Sequence, residues 1–314
     1  MPIDPQVRAH YEKKQAAAEK HYDSLEDAVA AMRAQADAQF NDHAQYPPVH
    51  DVQDRTIPCF WGAMPIRIYT PGDDPSYPIL IYYHGGAFML HNIASHDSIC
   101  RKLCNECCAI VVNVGFRRYP EVRLGDIFAD AYLALEWIRD NAGQFGGDPA
   151  RIAVAGDSSG AMISAAIAML ARDRRGPKIG LQILAYGTGC GLTEEESESY
   201  HELIDNNPVL TRALMEHLAI VQGQNPGVAD AYVYPGREAN LADMPKTFTI
   251  TAEYDPLRDD GEEYARRLQA AGNDVTIWRV PGMTHGFLML WEKFDKGAFA
   301  LEEIGRVFRE TFGD

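Results

Sequence analysis

No stretch of the sequence approaches the ~20 consecutive apolar residues of a membrane-spanning helix. The first segment, Met1 to Lys20, is polar and charged and lacks the short apolar core of a secretion signal. Positive charge is scarce: 29 Lys and Arg stand against 45 Asp and Glu, a formal net charge of -16 that opposes docking on phosphate backbones or anionic lipid. Six cysteines in 314 residues make no disulfide framework, and there is no Asn-x-Ser/Thr sequon. These absences argue against a membrane or nucleic-acid partner and predict a soluble protein of the reducing cytoplasm.

What is present is enough apolar residue, 46% of the chain, to fill one large α/β core, and too little length for two independent ones. Ala-rich, charged stretches at Val7 to Tyr22 and Ser24 to Phe40 predict two N-terminal helices. Ser24 is placed as N-cap of the second, and Glu26 and Asp27 lie in its first turn. Tyr46-Pro47-Pro48 then stops helix formation.

From there strand and helix signals alternate. Strands are predicted at Ile66 to Tyr69, Ile79 to Tyr83, Ala109 to Val114, Ile152 to Ala155, Leu181 to Tyr186, Thr247 to Ala252 and Val275 to Val280. Helices are predicted from a cap at Ser95 to Cys108, over Ile127 to Gln144, after Ala161, near Leu257 to Ala271 and over Lys293 to Phe312. Near-continuous apolar strands in such alternation imply an α/β fold with a mostly parallel sheet covered on both faces. Between Gly187 and Ala239 the pattern lapses into an acidic patch and one helix, Thr211 to Gln222, which reads as a lid inserted over the site. The domain reading is therefore cap helices over 1–45 and a catalytic domain over 46–314 with a cap insertion at about 187–239.

Gly156-Asp157-Ser158-Ser159-Gly160 lies directly after a strand and directly before a helix. There a sharp turn needs neighbours without bulk and points its serine out of the sheet end. A free hydroxyl is a poor nucleophile, so Ser158 requires a base and a group that fixes the base's tautomer, downstream and in the order carboxylate then histidine. Asp255, in the turn after the Thr247 strand, and His285, in the turn after the strand ending at Val280, meet that requirement. Glu253, Asp259 and Asp260 compete with Asp255, but fall in the strand end or on the following helix.

Attack on a carbonyl builds negative charge on its oxygen, which backbone N–H groups can stabilise. The turn His84-Gly85-Gly86-Ala87-Phe88, after an upstream strand, is suited to this. The expected oxyanion donors are Gly85, Gly86 and Ser159, with His84 anchoring the loop through a hydrogen bond to backbone.

The set His84-Gly85-Gly86-Ala87-Phe88, Gly146-Gly147-Asp148-Pro149-Ala150-Arg151-Ile152, Gly156-Asp157-Ser158-Ser159-Gly160, Asp255-Pro256-Leu257-Arg258-Asp259 and His285-Gly286-Phe287 resembles the hormone-sensitive-lipase-like esterases, bacterial family IV of the α/β-hydrolases. The resemblance implies the α/β-hydrolase fold and a carboxylesterase acting on small-molecule esters with short acyl chains through an acyl-enzyme, without cofactor or metal. It further implies a cap built from the N-terminal helices and the insertion, and often a homodimer. Two departures stand out. Phe116-Arg117-Arg118-Tyr119-Pro120-Glu121 replaces the usual Tyr-Arg-Leu-Ala-Pro-Glu, and Ala87 replaces a third glycine.

Other signals are discounted. Cys100, Cys104, Cys107 and Cys108 share one helix face, which cannot surround a metal tetrahedrally and reads as a buried face. Ser95-His96-Asp97 reads as a capped helix start, its neighbours pointing to different sides. Gly187-Thr188-Gly189-Cys190-Gly191 lacks the lysine of a phosphate loop and reads as a hinge, and Glu194 to Glu198 as a solvated face. Tyr11, Tyr22, Phe40, Tyr200 and Met215 are candidates to line a pocket, although residues at helical spacing more often pack the core. Two rival readings use the same scaffold: a ligand receptor, against which the intact His285 argues, and a lyase, amidase or peptidase.

Overall fold

The computed structural model describes residues 2–12, 25–39, 46–74, 76–187, 189–223 and 230–313. Strands β1 (Asp51–Cys59), β2 (Gly62–Thr70), β3 (Tyr77–Tyr83), β4 (Ile110–Val114), β5 (Gly147–Asp157), β6 (Leu181–Ala185), β7 (Lys246–Tyr254) and β8 (Val275–Thr284) form one sheet in the order β1-β2-β4-β3-β5-β6-β7-β8. β1/β2 and β2/β4 pair antiparallel, and β4, β3, β5, β6, β7 and β8 run parallel. No strand is predicted at β1, whose residues, Asp51, Gln53, Asp54 and Arg55 among them, carry little apolar signal. It is an edge strand held by its hairpin with β2.

Each central strand feeds two cores, which is why these strands read as continuous apolar runs. Ile79, Ile81 and Tyr83 of β3 and Ile152 and Val154 of β5 face one side. There they pack with α4 (Leu124–Asn141), α5 (Ser159–Asp173) and Tyr264 and Leu268 of α9 (Arg258–Ala270). Leu80, Tyr82, Ala153 and Ala155 face the other side, against α3 (Asp97–Cys107) and α10 (Asp295–Phe312). Cys100, Cys104 and Cys107 are buried there as expected, but Cys108 is exposed, because it ends α3 with a left-handed backbone (φ 48°). No group of His, Cys, Asp or Glu among the described residues could hold a metal ion.

Between β6 and β7 lie α6 (Glu198–Leu203), α7 (Arg212–Gly223) and α8 (Asp230–Val233), the inserted helical cap. The N-terminal helices are α1 (Pro5–Glu12) and α2 (Leu25–Gln39). Ser24, Tyr22 and Phe40 lie outside the described residues. Val29 and Met32 of α2 pack with Ala87 and Met89, and with Leu214 and Leu218 of α7. Among the described residues no helix is long and apolar enough to cross a membrane.

Candidate active site

β5 ends at Asp157 and α5 begins at Ser159, so Ser158 is the whole turn, with φ 53° and ψ −123°. A side chain in that region costs on the order of 1–3 kcal/mol and persists only where its surroundings enforce it. Here the Ser158 N–H is bonded to Ala185 O (2.8 Å). Gly160 meets the body of the sheet so closely that a Cβ would stand 2.0 Å from Tyr83 O, and one on Gly156 would stand 2.3 Å from the Gly160 carbonyl. Only glycine fits at either position.

The turns after β7 and β8 deliver the other two groups. Asp255, fully buried, accepts the Leu257 N–H on Oδ1 (2.9 Å) and faces His285 Nδ1 with Oδ2 (2.8 Å). His285 Nε2 lies 2.8 Å from Ser158 Oγ. With Nδ1–H donating to the carboxylate, a neutral ring presents Nε2 as acceptor for the serine proton. The Tyr186 ring meets the imidazole edge-on at 5.0 Å. The competing carboxylates are occupied elsewhere: Glu253 accepts from Gly282 N–H, Asp259 from Ser199 N–H, and Asp260 from the N–H groups of Gly189, Cys190 and Leu192. Asp259 and Asp260 thus tie the cap insertion to α9.

The loop expected to hold the oxyanion is bonded differently from the sequence reading. The Gly85 N–H donates to Asp157 Oδ1 (3.0 Å), so it is already used. Its lack of a side chain serves this approach, since a Cβ would lie 2.5 Å from Asp157 Oδ2. Gly86, Ala87 and Ser159 have backbone N–H groups without a protein acceptor among the described residues. Ala87, Phe88 and His91 have positive φ (57°, 61° and 62°), each costing about 1–2 kcal/mol for a residue with a side chain. His84 lies buried against Phe116 (ring centroids 4.3 Å apart), with Nδ1 2.9 Å from Gly85 O, the backbone anchor expected of it.

Asp157, to which the sequence motif assigns no role, is the hub of a buried network. Its Oδ1 accepts from Tyr82 OH (2.9 Å) and Gly85 N–H and lies 3.0 Å from His96 Nε2, while His96 Nδ1 meets Ser95 Oγ at 2.9 Å. Burial acts to raise the Asp157 carboxyl, but His96 and Tyr82 outweigh it and hold the group below the usual carboxylate range. Burial, and to a lesser degree His96, pushes His84 well below the usual histidine range. Ser95 and His96 therefore do touch, contrary to expectation, because a 3-10 turn at Ala94–His96 precedes α3. Asp97 turns away to Arg67, Tyr69 and Arg101. A bare G-x-S-x-G pattern cannot reveal the network, since its partners lie on β3 and before α3.

Ser158 and Ser159 open into a cavity of about 230 Å³ lined mainly by apolar groups, among them Phe88, Met162, Leu192, Met215 and Leu218. Of the pocket candidates, Tyr200 and Met215 line it. Tyr11 does not. It packs at the edge of the α3/α10 core, where burial pushes its phenol up to about 12 against a hydrogen bond with Thr284. Glu194 stands at the cavity wall, exposed and paired with Arg212, as the solvated-face reading requires.

A family model described as alpha/beta hydrolase fold matches residues 80–289. The chain is 39% identical over 232 residues to carboxylesterase NlhH of Mycobacterium tuberculosis, covering 72% of this chain and 71% of that protein. It is 30% identical over 296 residues to an arylesterase of Saccharolobus solfataricus, covering 92% and 93%. Among solved structures, a hyperthermophilic esterase from the archaeon Pyrobaculum calidifontis superposes with a TM-score of 0.90 at 34% identity over 99% of both chains. With a cavity-lining serine in hydrogen-bond sequence with a histidine and an aspartate, the chain belongs to the hormone-sensitive-lipase-like, family IV carboxylesterases of the α/β-hydrolase fold and is a serine carboxylic-ester hydrolase.

Proposed function

We propose that the chain hydrolyses small esters of short-chain carboxylic acids, with Ser158 as nucleophile, His285 as general base and Asp255 as the group that orients the imidazole. The carrying observation is the unbroken series Asp255 Oδ2, His285 Nδ1, His285 Nε2, Ser158 Oγ, each contact at 2.8 Å. His285 takes the proton of Ser158 Oγ as that oxygen bonds to the ester carbonyl carbon, and Asp255 stabilises the imidazolium. The carbonyl oxygen becomes an oxyanion, received by the N–H groups of Gly86, Ala87 and Ser159, with Gly85 reassigned from donor to loop anchor. Collapse expels the alcohol, protonated by His285, and leaves an acyl-serine. Water then enters and bonds to the acyl carbon as it loses a proton to His285, and the carbon–Oγ bond breaks to release the acid as His285 returns the proton to Ser158 Oγ.

A cavity of about 230 Å³ supports the short acyl limit. The cap is the insertion at about 187–239 together with the N-terminal helices of 1–45, and its apolar Met215 and Leu218 form one cavity wall. All six cysteines are free, which supports action in the reducing cytoplasm.

The test is turnover of p-nitrophenyl esters from acetate to a long-chain acyl, with Ser158→Ala in parallel. Hydrolysis of the short esters that vanishes in the variant is expected. Undiminished turnover by a folded Ser158→Ala protein would refute the assignment, and elimination products would move it to a lyase.

A further inference from the structure

The loop that presents Gly86 and Ala87 is strained at three residues with side chains, and such a backbone holds its shape only when tied from outside. Four ties come from the hydrolase body. Gly85 N–H reaches Asp157, Phe88 N–H reaches Ser159 Oγ (3.2 Å), Tyr119 N–H reaches Phe88 O (3.0 Å), and Arg118 Nη1–H reaches His91 O. A fifth comes from the N-terminal helix α2. Arg33, 17% exposed, donates from Nε to Met89 O (2.7 Å) and from Nη2 to Tyr119 O (2.9 Å). The same guanidinium grips both carboxylate oxygens of Glu121 (2.5 and 2.9 Å).

A planar guanidinium is the side chain that can hold two carbonyls and a carboxylate together. One turn further along α2, Asp37 Oδ1 accepts from Asn92 Nδ2 (2.8 Å), while Val29 and Met32 pack with Ala87 and Met89. Helix α2 thus grips the loop on its carbonyl, its apolar side and its far end. Among the described residues no side chain of α2 lines the catalytic cavity, so α2 can influence an ester through this loop and through Leu218 of α7, against which it also packs.

We propose that Arg33 is a positioning residue that couples the seating of the cap helix α2 to the aim of the oxyanion N–H groups of Gly86 and Ala87, so that the hole is complete only while α2 is docked. The inference rests on the oxyanion assignment above. Because those donors act on charge that exists only in the transition state, loosening the loop lowers kcat far more than it changes ground-state binding, which the loop touches only through Ala87 and Phe88.

The experiment measures kcat and KM separately for wild type, Arg33→Met and Arg33→Lys on p-nitrophenyl acetate and butyrate, with thermal melting of each. Arg33→Met keeps the apolar stem and loses every donor. About a tenfold or larger fall in kcat is expected, equal for both esters, with KM within about twofold. Arg33→Lys, which retains one strong donor, should recover part of the loss. A kcat within about twofold of wild type, or a loss that appears as a KM rise growing with acyl length, overturns the coupling and leaves Arg33 a simple staple. Should Arg33→Met fail to fold, Glu121→Gln replaces it: a kcat-only loss supports the coupling, and an unchanged kcat overturns it. Inactivity of the wild type toward every ester would instead remove the oxyanion assignment itself.

Discussion

Replacing Asp255 by asparagine tests the site most directly, because it changes charge and hydrogens while preserving shape. The carboxylate is fully buried and committed twice, Oδ1 to Leu257 N–H at 2.9 Å and Oδ2 to His285 Nδ1 at 2.8 Å. An amide has one acceptor oxygen, and the Leu257 N–H, which begins the turn into α9, claims it. The NH₂ group then faces Nδ1, and a donor there stabilises the imidazole tautomer that carries its proton on Nε2. Such a ring cannot accept the Ser158 proton. A wrong-tautomer triad loses about 10⁴ in kcat, or about 5.4 kcal/mol of barrier at 1.36 kcal/mol per tenfold. The expected signature is therefore a kcat for p-nitrophenyl acetate reduced about ten-thousandfold, a KM near wild type and a melting temperature within a few degrees. Asp260→Asn is the control. That carboxylate holds three cap N–H groups and no catalytic one, so its loss should loosen the cap and lower stability with a far smaller effect on kcat. An Asp255→Asn enzyme within tenfold of wild type, or an Asp260→Asn enzyme equally crippled in chemistry, would refute the reasoning.

Two further outcomes follow from packing and burial. In Gly160→Ala the new methyl would sit 2.0 Å from Tyr83 O, a backbone atom that cannot swing aside. Chemical denaturation should show a loss beyond the ~1–3 kcal/mol usual for overpacking, and a loss under ~1 kcal/mol would mean that the elbow is looser than described. His84 is buried and its folded-state value is pushed down, so on acidification the unfolded chain takes up a proton that the folded chain refuses. Stability should be full above the ordinary histidine value near ~6.5 and decline below it, by up to ~1.4 kcal/mol per pH unit for this ring. Melting temperatures between pH 7 and 5 check this, and a His84→Asn protein whose melting temperature falls as steeply would exclude His84 as the cause.

Much of this was legible in the sequence because strand, turn and chemistry coincide at four places. Apolar runs ending in Gly85-Gly86, Gly156-x-Ser158-x-Gly160, Asp255-Pro256 and His285-Gly286 announce both where the sheet's strands end and where reactive groups gather there. What the sequence could not convey is which atom meets which. Gly85 and Gly86 are identical as letters, yet Gly85 N–H is bonded to a carboxylate 72 residues away and Gly86 N–H is not. The role of Asp157 depends on Tyr82 and His96, brought beside it only by the order β4-β3-β5 and the turn before α3. β1 escaped because an edge strand with one wetted face carries little apolar pattern, and Arg33 because a guanidinium on an Ala-rich helix has the same signature whether it faces water or a carbonyl.

The backbone of Ser158 has a consequence for how this protein can change. A residue with φ 53° and ψ −123° is held against its own preference by the bonds and close packing around it, and glycine at that position would relieve the strain. Selection for thermal robustness alone therefore pulls against the side chain that performs the reaction. Gains in heat tolerance must come from elsewhere in the chain, whereas a lineage released from hydrolysis would gain the nucleophile itself as a position open to stabilising substitution.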